Sequence, residues 1–142
     1  MNLEVKEENG FKYIEEGEGD VLLLLHGLFG ALSNWTDVTN TFKSKYRVVI
    51  PLLPIYELPL LTTGVGTLAK FVYKFVKFKK LKNINLLGNS LGGHVALIFT
   101  LNHPEIVKAL VLTGSSGLYE NSFGGSFPRR ECYDFIKEKV AF

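Results

Sequence analysis

The sequence predicts an α/β fold, a mostly parallel sheet entered through an N-terminal β-hairpin. Three observations predict it. Continuous apolar runs, Val21-Leu22-Leu23-Leu24-Leu25 above all, suit strands covered on both faces. These runs alternate with helix-length segments, as parallel strands require crossover connections. Asn9-Gly10 separates two short alternating runs, and both residues of such a turn must reach positive φ.

The elements follow in order. The pattern predicts strands at about 2–7 and 11–15, then a turn at Gly17-Glu18-Gly19-Asp20 and a strand at 21–25. His26-Gly27-Leu28-Phe29-Gly30 is a glycine-punctuated loop, after which Ser33 or Asn34 can cap a helix reaching about Lys43. Tyr46 to Ile50 reads as a strand stopped by Pro51 and Pro54, and 51–66 reads as loop. Thr67 to Lys80 has apolar residues Leu68, Phe71, Val72, Phe75 and Phe78 at helical spacing, with Lys70, Lys74, Lys77 and Lys80 on another face. Asn83 to Leu87 is a third buried strand, 91–102 a helix ended by His103-Pro104, and 107–112 a fourth buried strand. After Thr113 the pattern decays, and a short amphipathic segment spans about 130–140.

Composition bounds the function. A chain of 142 residues suits one domain, and 46% apolar with 21% charged residues excludes disorder as its main state. A net charge of +2 is too small to imply a nucleic-acid partner. The single cysteine, Cys132, excludes an internal disulfide and a multi-cysteine metal site, so no metal is expected. No basic region followed by an apolar one opens the chain, and its longest apolar run is far too short to span a membrane. The default expectation is a cytoplasmic protein with no membrane partner.

The chemistry concentrates in Gly88-Asn89-Ser90-Leu91-Gly92-Gly93, set between a strand and a helix. A serine on so tight a bend has strained dihedrals and a presented hydroxyl, and small residues two positions away let neighbouring backbone approach. The helix N-terminus favours developing negative charge, and the Leu91 N–H points to where an oxyanion would form. A second donor would come from the loop after 21–25, from Leu28 or else Phe29. A plain capping role for Ser90 in a glycine-rich turn is the competing reading.

These pieces, with Arg47-Val48-Val49-Ile50-Pro51 and Ala109-Leu110-Val111-Leu112, resemble the N-terminal half of an α/β-hydrolase-fold serine hydrolase of the esterase and carbon–carbon-bond hydrolase type, over residues 1 to about 116. The resemblance implies Ser90 as nucleophile, the Leu28 and Leu91 amides as oxyanion hole, no cofactor, and the start of a cap over 117–142. Phe29 and Tyr56 are candidates for lining the substrate pocket. The expected substrate is a small ester-like molecule; thioesters, lactones and carbon–carbon bonds stay open. A non-catalytic binding module on the same scaffold is the alternative.

Two departures stand out. The loop after Ile50 reads Pro51-Leu52-Leu53-Pro54-Ile55-Tyr56-Glu57, without the Asp and Gly usual there. The family order of Ser, acid, His is also not completed, since the histidines after Ser90 are His94 and His103, both expected to be structural. Truncation is the expected explanation. It would leave strand 107–113 as an open edge, prone to pair with a second copy or a C-terminal fragment.

Weaker motifs carry less. Gly64-Val65-Gly66-Thr67-Leu68-Ala69 fits a dinucleotide fingerprint but follows no strand, and no acid lies between Glu57 and Glu105 to hold a ribose. The lysines from Lys70 to Lys82 read as a solvated face. His26 reads as bonded to nearby backbone rather than as a base, and Trp35 as a packing residue.

Overall fold

The computed structural model describes residues 3–27, 33–55 and 64–115. Leu28, Phe29, Tyr56 and the expected cap start at 117–142 lie outside the described residues. Among the described residues, nine elements run in the order β1 (Lys6–Glu8), β2 (Phe11–Glu16), β3 (Asp20–Leu25), α1 (Ser33–Phe42), β4 (Tyr46–Pro51), α2 (Val65–Phe78), β5 (Ile84–Asn89), α3 (Leu91–Asn102) and β6 (Val107–Thr113). The strands form one sheet ordered β1-β2-β4-β3-β5-β6. β3, β4, β5 and β6 are mutually parallel, whereas β1–β2 and β2–β4 are antiparallel. This is the α/β architecture that the alternation of strand and helix predicts.

The hairpin turns at Asn9 (φ 51°) and Gly10 (φ 78°), both in the left-handed region, as the Asn-Gly pair requires. β1 is shorter than the expected 2–7, because only Lys6, Glu7 and Glu8 find partners on β2.

Alternation along β2, β3 and β4 divides the core. Tyr13, Leu23, Leu25 and Val49 pack with Leu68, Val72 and Phe75 of α2 and Val95 and Phe99 of α3. Ile14, Leu22, Leu24, Val48 and Ile50 face the other way, against Trp35 of α1. Helices therefore cover both faces, and a one-residue slip in any of these strands would exchange its two apolar sets.

β6 departs from expectation. It is not buried on both faces: Leu110 is buried, but Val111 is 47% exposed. The physical reason is position. β6 is the edge strand of the described sheet, and α3 covers one of its faces, while α1 lies over β2–β4. A run of apolar residues signals a strand without saying how many faces are covered.

α2 begins two residues earlier than expected, with Gly64 as its cap: its carbonyl accepts from Thr67 N at 3.0 Å and Leu68 N at 3.2 Å. Lys80 turns to φ 54°, ending the helix. Lys79 turns inward, where its Nζ lies 3.1 Å from Glu15 Oε2 and donates to Tyr13 Oη at 3.3 Å. Arg47 reaches the same carboxylate oxygen at 3.1 Å, so Glu15 ties β2 to β4 and to the end of α2. Phe11 joins the same seam, its ring 5.3 Å from Phe71 and 5.4 Å from Phe75 and Phe78.

Candidate active site

Ser90 is the residue between β5 and α3, with φ 53° and ψ −121°. A non-glycine residue rarely holds positive φ, and doing so costs about 1–3 kcal/mol unless its surroundings enforce it. Here they do. Ser90 N–H donates to Thr113 O at 3.0 Å, and Ser90 O accepts from Gly93 N at 3.0 Å and His94 N at 3.3 Å. The bend is thus fixed from β6 on one side and by the first turn of α3 on the other.

The flanking glycines are needed for close approach rather than for φ. A Cβ on Gly88 would lie 2.5 Å from Gly92 O and 2.6 Å from the Gly93 Cα. One on Gly92 would lie 2.6 Å from His26 O, at the end of β3. One on Gly93 would lie 2.7 Å from the Ser115 Cβ. The spacing expected from the motif therefore has a steric cause: strand β5, the exit of β3 and the chain after β6 all crowd the start of α3.

Leu91 opens α3, so its N–H belongs to the first helical turn and has no acceptor within the helix. The exit of β3 comes up against the bend. A Cβ on Gly27 would stand 3.0 Å from Ser90 Cβ and 3.4 Å from Ser90 Oγ. The structure thus brings the His26-Gly27 pair to Ser90, while Leu28, Phe29 and Tyr56 fall outside the described residues.

His26 is buried and bonded to backbone, with Nδ1 3.0 Å from Gly27 O. Its other nitrogen has a longer-range partner that no local pattern announces: Leu53 N–H donates to Nε2 at 2.9 Å. Burial lowers its pKa below the ordinary histidine value, against the raising effect of the Gly27 carbonyl. Asn89, inside the motif, accepts from the Thr113 hydroxyl at 3.0 Å. That pair was legible in principle, because parallel pairing sets Asn89 beside Thr113.

The histidines after Ser90 sit apart in role. His94 is buried in α3, and burial lowers its pKa. His103 caps the far end of α3, roughly 18 Å along a helix of this length. Its ring stacks on Tyr73 at 3.9 Å and 5°, and its Nδ1 lies 3.8 Å from Glu105.

Comparison with known proteins gives the family and the fold. The model of the alpha/beta hydrolase fold family matches residues 20–139. The chain belongs to that family. It is 48% identical, with a TM-score of 0.77, to an alpha/beta hydrolase enzyme from the metagenome of sediments of the lagoon of Mar Chica, Morocco, covering 95% of this chain and 57% of that one. It is 31% identical to 2-hydroxy-6-oxo-6-(2'-aminophenyl)hexa-2,4-dienoic acid hydrolase of Metapseudomonas resinovorans, over 89% of this chain and 46% of that protein. It is 34% identical to 2-hydroxy-6-oxononadienedioate/2-hydroxy-6-oxononatrienedioate hydrolase of Escherichia coli O81 (strain ED1a), over 69% of this chain and 37% of that protein. The chain therefore spans less than half the length of these curated relatives.

Proposed function

We propose that this chain carries the nucleophile half of a serine hydrolase acting on small ester-like substrates. The observation that carries the reading is Ser90 at φ 53° on a strand-to-helix bend. Ser90 Oγ attacks the substrate carbonyl carbon and gives its proton to a base. The Leu91 and Leu28 amides hold the resulting oxyanion. The bond to the leaving alcohol breaks, the alcohol takes that proton, and water then releases the acid and restores the hydroxyl. Phe29 and Tyr56 line the acyl pocket. No cofactor enters the scheme.

The base does not come from His94 or His103 in this reading. One is buried in α3, and the other is stacked on Tyr73 at the opposite end of that helix. A serine without its base is a weak nucleophile, so this chain alone turns over activated esters barely above background. Prolonged exposure to a fluorophosphonate probe tests the reading. Labelling that disappears in Ser90→Ala supports it. Absence of Ser90 labelling in a longer chain that also carries the acid and base favours a binding module on a hydrolase scaffold instead.

The outer edge of β6 is proposed as a pairing edge, for a second copy or a C-terminal fragment. Its half-exposed Val111 and its place at the end of the described sheet support this.

A further inference from the structure

The end of β4 and the loop after it are short of polar groups. Pro51, which ends the strand, and Leu52, Leu53, Pro54 and Ile55 after it have no polar side-chain atom, and the prolines have no N–H. Three backbone donors remain, and each has one acceptor. Leu52 N–H donates to Lys12 O at 2.8 Å, Ile55 N–H to Leu53 O at 2.8 Å, and Leu53 N–H to His26 Nε2 at 2.9 Å. The third bond is made by a side chain from a different strand exit.

One protonation state satisfies both ring nitrogens of His26. An amide N–H can only donate, so Nε2 must be bare. A carbonyl can only accept, so Nδ1 must carry the hydrogen that reaches Gly27 O at 3.0 Å. An imidazolium would set a second N–H against that of Leu53, at a site where His26 is 9% exposed. The ring therefore reads out as the neutral Nδ1–H form, held by backbone on both sides. Just past it, Gly27 lies against Ser90, and the carbonyl of His26 itself lies against Gly92.

We infer that His26 is a positioning residue for Ser90: its imidazole latches the loop after β4 to the exit of β3, and so fixes how the backbone at Gly27 meets the serine. The inference rests on the serine-hydrolase reading, and it assigns His26 neither a proton-transfer role nor contact with substrate. Without the latch, the Leu53 amide is buried without an acceptor, and the chain at Gly27 loses its lateral restraint.

The test uses the full chain and three measurements. Nitrogen NMR of the imidazole should report the Nδ1–H tautomer. The Leu53 amide should exchange slowly in wild type and in His26→Gln, whose Oε1 can replace Nε2 as acceptor, and quickly in His26→Leu. Fluorophosphonate labelling of Ser90 should slow by about tenfold to hundredfold in His26→Leu, with most of the rate recovered in His26→Gln. An Nε2–H tautomer, a Leu53 amide unprotected in wild type, or labelling of His26→Leu at the wild-type rate overturns the inference. If His26→Leu does not fold, the tautomer and the comparison of His26→Gln with His26→Asn, which keeps only the Gly27 bond, decide it. If Ser90 is labelled in none of these chains, the latch stands or falls on the tautomer and the Leu53 exchange, and the hydrolase reading fails only if a longer chain carrying the acid and base is also unlabelled.

Discussion

Ser90 N–H donates to Thr113 O at 3.0 Å, and the Thr113 hydroxyl returns to Asn89 Oδ1 at 3.0 Å. The last residue of β6 thus grips the strained bend from the side, through main chain and side chain together. The backbone bond survives any side-chain change at position 113. Thr113→Val should therefore cost only the hydroxyl bond, about 0.5–1 kcal/mol given its exposure. Urea denaturation measures that loss. Labelling of Ser90 should fall modestly; an undiminished rate with unchanged stability would show that the Asn89 contact does nothing for the bend.

Glycine substitutions separate close approach from helix propensity. A Cβ on Gly92 meets Leu25 O and, at 2.6 Å, His26 O, and both partners are backbone that cannot swing aside. Gly92→Ala should destabilise by about 1–3 kcal/mol or more, as overpacking does. Gly66, in the first turn of α2, has nothing within 4 Å of its Cβ position. Gly66→Ala should instead stabilise by up to about 0.5–1 kcal/mol. Thermal unfolding of the two variants should move in opposite directions, and a shared direction would refute the steric account of the motif.

Local signals were the readable part of this molecule. Asn9-Gly10 fixed the hairpin turn because few residues accept positive φ in succession. Gly88 and Gly92 marked the bend because only small residues let β5 and the end of β3 approach α3 there. What was hidden is what depends on tertiary position. The exposure of Val111 follows from which helix covers which face, and the apolar run of β6 is silent on that. The bond from Leu53 to His26 joins residues 27 apart, and an apolar loop gives no hint that a ring will reach it. The start of α2 moved to the Gly64 cap, and its end falls before Lys79, which turns to Glu15, a partner on a distant strand.

Glu15 anchors two cations, and its removal should show. Burial raises its pKa, but the hydrogen bonds and charges of Lys79 and Arg47 outweigh this and leave it lowered; the same carboxylate helps raise that of Lys79. Glu15→Gln leaves Lys79 and Arg47 facing each other without a counter-charge. The cost should be about 1–2 kcal/mol, since the group is only partly buried. Added salt should narrow the gap between variant and wild type. A gap independent of ionic strength would assign the effect to packing instead.

Acid should weaken the fold in two stages. His26 and His94 both have pKa values lowered by burial from an ordinary value of 6.5. A histidine depressed on folding contributes stability that is present above its unfolded pKa and lost as pH falls toward its folded value. The urea midpoint should therefore drop on going below about pH 6.5. A further loss should follow below the ordinary carboxylate value of 4.5, as the lowered Glu15 is protonated. His26→Gln should remove part of the first stage and leave the second intact. A midpoint constant down to the carboxylate range would contradict the buried, neutral state of both rings.

The edge of β6 makes the last prediction. Unpaired strand edges with apolar side chains recruit other strands, and charged residues block this. Val111 is 47% exposed on that edge strand. Val111→Lys should change stability by no more than about 0.5 kcal/mol, as surface substitutions usually do. It should nonetheless reduce concentration-dependent association, measured by sedimentation velocity on the wild-type and variant chains. A wild-type chain that stays monomeric at every concentration, or a lysine variant that associates as strongly, would remove β6 as the pairing edge. Because Val111 lies two residues before the Thr113 grip on Ser90, the variant's labelling rate also reports whether strand pairing steadies the bend.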